Sequence, residues 1–418
     1  MSALLIRGAR VLTMGREPGP RRGAAAMNDL RVVPRADVLV QGERIAAIEP
    51  KGIATVPKGT QVIDAEGRVL MPGFVDAHTH ALWAGDRLDE WEMRRRGASY
   101  LDILKAGGGI MSTVRAVRST DEASLGALLR ERLGAMLREG TTTVEIKSGY
   151  GLNTETELKM LGVIRAAGGE NSPTVVATAL LGHAIDSENS RFIEDTIERT
   201  LPAVHNEFPG IAIDAFCEEG AWSKEQCVRL FDAARALGHP IRVHADQFHD
   251  LGMTEWAMEH DALSVDHLEA TPPLVLERLA KSKTFGVMLP ATGFHLLDPR
   301  GGAPGSAPAF ADGRRFVDCG GALVIATNCN PGSAPCYSMP IAIALAVRFL
   351  GLTPAEAITA ATANPAALLG FSDRGRIAAG LRADLIMLRH KDERMLAYEF
   401  GASPVQLVLV AGRIAVDS

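Results

Sequence analysis

Thiols are scarce in this chain and poorly placed for one another. Its 418 residues hold five cysteines (Cys217, Cys227, Cys319, Cys329 and Cys336), an odd number without a CxxC pair. That argues against both a disulfide framework and a thiolate zinc site, and it suits a reducing compartment. Basic charge is lacking as well. The 44 Lys and Arg are outnumbered by 50 Asp and Glu, for a net charge of -6, so no positive field draws phosphate backbones and nucleic acid is not an expected partner. Long apolar runs are absent: nothing approaches the ~20 residues of a membrane span. The opening MSALLIRGARVL lacks the apolar core and cleavage site of a secretory signal. These absences lead to the expectation of a cytoplasmic protein with no membrane partner.

What is present is ordinary for a folded chain: 47% hydrophobic and 22% charged residues, enough for a sizeable core. Residues 1–72 read as short strands punctuated by glycine, as in LLIRGARVLTM, ADVLVQGERIAAIEP and TQVIDAEGRVLMPG. The Pro/Gly/Arg-rich GREPGPRRGAAAMND between the first two reads as a loop projecting into solvent. The strand-rich style returns in residues 373–418, with GRIAAGLRADLIML and PVQLVLVAGRIAVDS, so both chain ends are expected to complete one small β-sandwich domain. Residues 73–372 alternate strands with helices. Eight apolar runs qualify as strands: FVDAH (74–78), TTTVEIKS (141–148), TVVATALL (174–181), IAIDAFC (211–217), IRVHA (241–245), LSVDH (263–267), FGVMLP (285–290) and LVIAT (323–327). The economical reading is an α/β fold, a parallel (β/α)8 TIM barrel.

In such barrels the chemistry sits at the carboxyl ends of the strands. Here those ends deliver His78 and His80, Tyr150, His183, Glu218, His244, His267 and Asn328. A lone histidine is usually a satisfied core or surface residue. His78 and His80 are different, because two positions apart on extended backbone they point to the same side. Joined by His244 and His267, they form a set suited to one metal ion, Zn2+ or Fe2+/Fe3+. Lys147 reads as structural, since nothing else demands the second metal that a carbamylated lysine would bridge. Arg87 lies among Asp86, Asp89 and Glu90, a pattern that also fits surface ion pairs. Tyr150 lies between two glycines and could equally be a packed loop aromatic. Glycines 107–109 read as a tight turn, because no GK[ST] follows.

MPGFVDAHTH resembles the entry strand of the amidohydrolase superfamily. The runs GDR (85–87), GASYLDILKAGGGIMSTVRAVR (97–118), EIKSGYGLNTETELKML (145–161), HADQFHDLG (244–252), VDHLEA (265–270) and NPGS (330–333) resemble its imidazolonepropionase family over nearly the whole chain. The resemblance implies metal ligands at His78, His80, His244 and position 328. It implies substrate contacts at Arg87, Tyr100, Tyr150, His183 and Gln247, with Asn330, Gly332 and Ser333 around the propionate or the product. The substrate so implied is 4-imidazolone-5-propanoate, whose ring amide is hydrolysed to N-formimidoyl-L-glutamate in histidine degradation. His267, His183, Gln247 and Asn328 are the implied catalytic positions, and His267 either orients water or moves protons. A nucleobase deaminase on the same barrel is the alternative enzyme.

One position departs from the pattern. The family ordinarily carries aspartate at 328, and Asn328 can offer a carbonyl oxygen to a metal but cannot accept a proton as a base. A catalytically impaired binder is therefore the third reading. The apolar helix PIAIALAVRFLG can pack inside or against another subunit, which allows a homodimer.

Overall fold

The computed structural model describes residues 3–15, 17–98, 107–169, 172–297 and 310–417. All eight barrel strands fall where the apolar runs place them: β6 (Phe74–Asp76), β7 (Thr141–Lys147), β8 (Thr174–Gly182), β9 (Ala212–Cys217), β10 (Arg242–Ala245), β11 (Ser264–His267), β12 (Phe285–Met288) and β13 (Leu323–Ile325). Each pairs in parallel with the next in one sheet. The seam between last and first is bridged beyond the strands, where Asn328 N–H donates to His78 O at 3.0 Å and His80 N–H to Cys329 O at 2.9 Å. That bridge brings the first and last strand ends together at the mouth.

The connecting helices form for local reasons. Helix Glu122–Arg138 starts at Asp121, whose side chain accepts from Ser124 N–H, and it buries Leu125, Leu129 and Leu133 on one stripe. It stops before Gly140, which takes φ +90° and enters β7 directly. Helix Lys224–Ala236 begins with a reciprocal capping box between Ser223 and Gln226. Short links of this kind alternate with strands that are buried on both faces, the pattern of a parallel sheet inside a shell of helices.

Both chain ends build a separate mixed sheet from β1 (Ala3–Leu12), β2 (Val32–Gln41), β3 (Arg44–Glu49), β4 (Gln61–Asp64), β5 (Val69–Pro72), β14 (Leu385–Leu388), β15 (Val405–Val410) and β16 (Arg413–Asp417). β14 joins β5 antiparallel, with Leu385 opposite Pro72, so the carboxyl-terminal strands continue the amino-terminal ones. The sheet curls back on itself: Ile45 N–H donates to Leu381 O and Ala383 N–H to Glu43 O, both at 2.9 Å. Ile6, Val38, Ile45, Leu385 and Leu409 fill the space enclosed.

One expectation is corrected. Within the stretch from Gly15 to Asp29, residues 17–20 are exposed as expected, but residues 21–28 pack against the barrel. These contain helix Gly23–Asn28, which buries Met27 completely, and Arg22 donates to Ser282 O and Lys283 O. Gly23 N–H reaches Gly321 O, so this segment is laid across the closed end of the barrel beside β13. The arginines misled the reading because the guanidinium groups of Arg21 and Arg22 donate to backbone carbonyls.

Candidate active site

Three imidazoles converge in the barrel mouth. One ring nitrogen from each of His78, His80 and His244 lies within 4.8 Å of the others, and all three residues are buried. His78 Nδ1 meets Asp266 Oδ2 at 2.6 Å, and His244 Nδ1 meets Asp214 Oδ1 at 3.1 Å. A carboxylate only accepts, so each of these nitrogens carries the proton and each Nε2 keeps its lone pair. His78 Nε2 and His80 Nδ1 have no hydrogen-bond partner among the described residues, and His80 Nε2 stands only 3.3 Å from His244 Nε2. Burial, reinforced by neighbouring cationic groups, pushes His78 and His80 well below the ordinary histidine range, and burial likewise lowers His244. Neutral imidazoles with converging, unsatisfied lone pairs are what a divalent cation requires.

Asn328 joins them at 2% exposure and φ +53°, a left-handed backbone that asparagine tolerates. Its Nδ2 donates to Thr292 Oγ1 at 2.8 Å, leaving Oδ1 buried without a partner among the described residues. Thr292 thereby orients the amide with its oxygen as the free end. Three neutral imidazoles and one neutral amide oxygen are donor types that fit a cation.

Beneath this set lies a fully buried charge network that the sequence reading missed. Lys147 Nζ is 2.9 Å from both Glu145 Oε1 and Asp214 Oδ2. Arg242 reaches Asp266 Oδ2 at 2.8 Å and Glu145 Oε1 at 3.3 Å. Three carboxylates against two cations leave the floor formally negative, and two of those carboxylates hold the protons of His78 and His244. The available signal was a charged residue interrupting an apolar strand, as in IAIDAFC and VDHLEA.

His183 follows β8 and stacks on His80, with centroids 5.0 Å apart and planes at 21°. Its Nδ1–H donates to Gly149 O at 2.9 Å, and burial lowers it to about 3, so it is a neutral acceptor through Nε2. Tyr150 packs on both rings, 5.1 Å from His183 and 6.1 Å from His80, and burial raises its hydroxyl, which stays protonated. Another missed residue sets this loop: Glu157 accepts from the backbone N–H groups of Gly149, Gly151 and Leu152. His267 lies 5.6 Å from His244 and 6.0 Å from His78, ring to ring.

Arg87 is neither a free surface charge nor a lone cation. Glu90 takes its Nε at 2.5 Å and Nη2 at 2.6 Å; burial opposes the Glu90 charge, but Arg87 and Gly109 N–H hold its carboxyl below the usual range. Arg87 Nη1 would lie 2.8 Å from any Cβ at Gly332, so that glycine leaves room for the guanidinium. Asn330 is spent on its own loop, donating to Asn328 O and Ser333 Oγ and accepting from Gly332 and Ser333 N–H. Its side chain thereby shapes the NPGS turn. Gln247, three residues beyond His244, is buried at the same mouth. Tyr100 lies outside the described residues.

Comparison with known proteins shows the family. The Amidohydrolase family profile matches residues 69–415. An imidazolonepropionase of Deinococcus radiodurans is 44% identical over 413 residues, covering 99% of both chains. One of Herpetosiphon aurantiacus is 44% identical over 407 residues, covering 94% of this chain and 93% of its own. Among solved structures, a 5-methylcytosine deaminase from Klebsiella pneumoniae superposes with a TM-score of 0.74 at 16% identity, covering 99% of this chain and 97% of its own, a likeness of fold alone.

Proposed function

Because the chain belongs to the amidohydrolase family, and within it to the imidazolonepropionases, we propose that it hydrolyses the ring amide of 4-imidazolone-5-propanoate to N-formimidoyl-L-glutamate. The observation that carries this reading is the convergence of buried ring nitrogens from His78, His80 and His244 in the barrel mouth, with Asn328 Oδ1 buried and unpartnered among the described residues on the adjoining loop. When bound there, a divalent cation, Zn2+ or Fe2+ by its donor set, supplies Lewis-acid activation of water and of the ring carbonyl.

The chain's own residues supply the rest. Arg87, held by Glu90 with Nη1 turned toward Gly332, takes the propionate as a charge-assisted contact. His183 accepts the ring N–H through Nε2, while Tyr150 donates its hydroxyl and closes the pocket with its ring. Gln247, neutral at any pH, both donates and accepts. Protons need a different group, since Asn328 and Gln247 are amides. His267 fills that role: as water adds to the ring carbonyl carbon, its proton passes to the imidazole, and as the C–N bond breaks the same proton goes to the leaving nitrogen. The imidazole ends as it began.

No helix among the described residues is long and apolar enough to cross a membrane. Exposed Phe294, Ile341 and Phe400 gather around one surface cavity, which supports a homodimer as the working assembly. The substrate assignment is tested by mixing metal-loaded protein with synthetic imidazolone propionate. Decay of imidazolone absorbance with formation of formimidoylglutamate is expected, and release of ammonia without ring opening would point to a deaminase instead.

A further inference from the structure

The residues around His267 carry several anomalies in a row. His267 and Leu268 both take left-handed backbone, φ +94° and +74°, a conformation that residues with a Cβ keep only where their surroundings enforce it. Leu268 is anchored in the core at 1% exposure, and Ala270 N–H is tied to Asp246 O at 2.7 Å. This double reversal brings Glu269 back onto its neighbour. His267 Nδ1 and Glu269 Oε2 lie 3.4 Å apart, both buried, and neither has a hydrogen-bond partner among the described residues.

The other carboxylates near the imidazoles are already engaged. Asp266 holds His78, Arg242 and Ser264; Asp214 holds His244 and Lys147; Glu218 accepts from the backbone of Phe248 and His249. Glu269 Oε2 accepts no hydrogen bond from the described residues and lies beside His267 Nδ1. A carboxylate at Nδ1 fixes an imidazole in one tautomer, with the proton on Nδ1 and the lone pair on Nε2. Without it, nothing at the site dictates which nitrogen of His267 is the base.

We propose that Glu269 is a positioning residue that holds His267 through Nδ1, leaving Nε2 as the nitrogen that exchanges protons with the substrate. The inference rests on the hydrolase reading for its kinetic consequence but not for its structural one. It also accounts for the strained backbone, because only a turn of this shape sets a residue two positions on against the ring of the first.

The test uses the zinc-loaded full chain, 15N-labelled at histidine, with the His267 resonance identified through His267→Gln. Parent protein is expected to show His267 as the Nδ1–H tautomer. In Glu269→Gln, which keeps the packing but can donate to Nδ1, and in Glu269→Ala, the population shifts toward Nε2–H. With imidazolone propionate, kcat falls about 10- to 100-fold in both variants while KM stays within about two-fold and zinc content is unchanged. A His267 that is Nε2–H in the parent, or that stays Nδ1–H in both variants, overturns the proposal. A parent with the expected tautomer that turns over no imidazolone propionate would overturn the substrate reading and leave the positioning role standing.

Discussion

At the scale of single residues, the candidate metal ligands were the most legible part of the chain. His78 and His80 share a side by strand geometry alone, and His244 and His267 end later strands, so four of the site's imidazoles could be read without coordinates. Their partners could not. Asp214 and Asp266 sit inside apolar runs, where a lone carboxylate looks like an interruption, and only the closed barrel puts each against an imidazole Nδ1. Two predictions belong here. Asp214→Asn removes the charge behind His244 and should weaken zinc affinity about 10- to 100-fold, measured by chelator competition; unchanged affinity would remove the floor from the account. Asn328→Asp restores a proton acceptor beside His78, and kcat should rise by about 10² with metal content equal. Equal rates for the two proteins would show that the amide costs nothing.

Elements place the substrate contacts, and here sequence reading succeeded on identity but not on cause. SGYGL was recognised, yet the carboxylate that gathers its backbone sits on the next helix, Thr154–Ala166, at Glu157. Replacing it with glutamine leaves one acceptor oxygen for three N–H groups, so KM should rise more than kcat falls. The same variant carries a pH signature. Burial raises the Glu157 carboxyl above its ordinary value despite those N–H groups, so the folded chain binds a proton there at a pH where the unfolded chain has lost it. Its contribution to stability therefore declines as pH rises from the ordinary carboxylate range through the raised one. Denaturant titrations across that window should show a flatter decline in Glu157→Gln than in the parent; parallel curves would contradict the assignment. In the NPGS turn, Gly332→Ala drives a methyl toward Arg87 Nη1 and should raise KM for the propionate-bearing substrate without loss of bound metal.

For the molecule as a whole, the eight strands and the sharing of one sheet by both chain ends followed from the period and spacing of apolar runs. Docking of residues 21–28 on the closed end did not, because nothing local in the sequence reports which carbonyls Arg21 and Arg22 will meet. The boundaries proposed for the parts, 1–72, 73–372 and 373–418, meet at Arg374. That guanidinium donates to Thr143 and Thr174 on the barrel and lies 3.5 Å from Asp384 beside the terminal sheet. Arg374→Met should cost about 1 to 2 kcal/mol in urea unfolding, since it removes the buried hydrogen bonds to Thr143 and Thr174 while Asp384 keeps Arg382 and Ala411 N–H. All of this frames one claim, that three neutral imidazoles at the mouth hold a single cation. Metal stoichiometry after dialysis against zinc tests it most directly: the account predicts one ion per chain in the parent and none in a His78→Ala, His80→Ala double variant that remains folded. A parent that retains no zinc, or a double variant that retains as much, would contradict it.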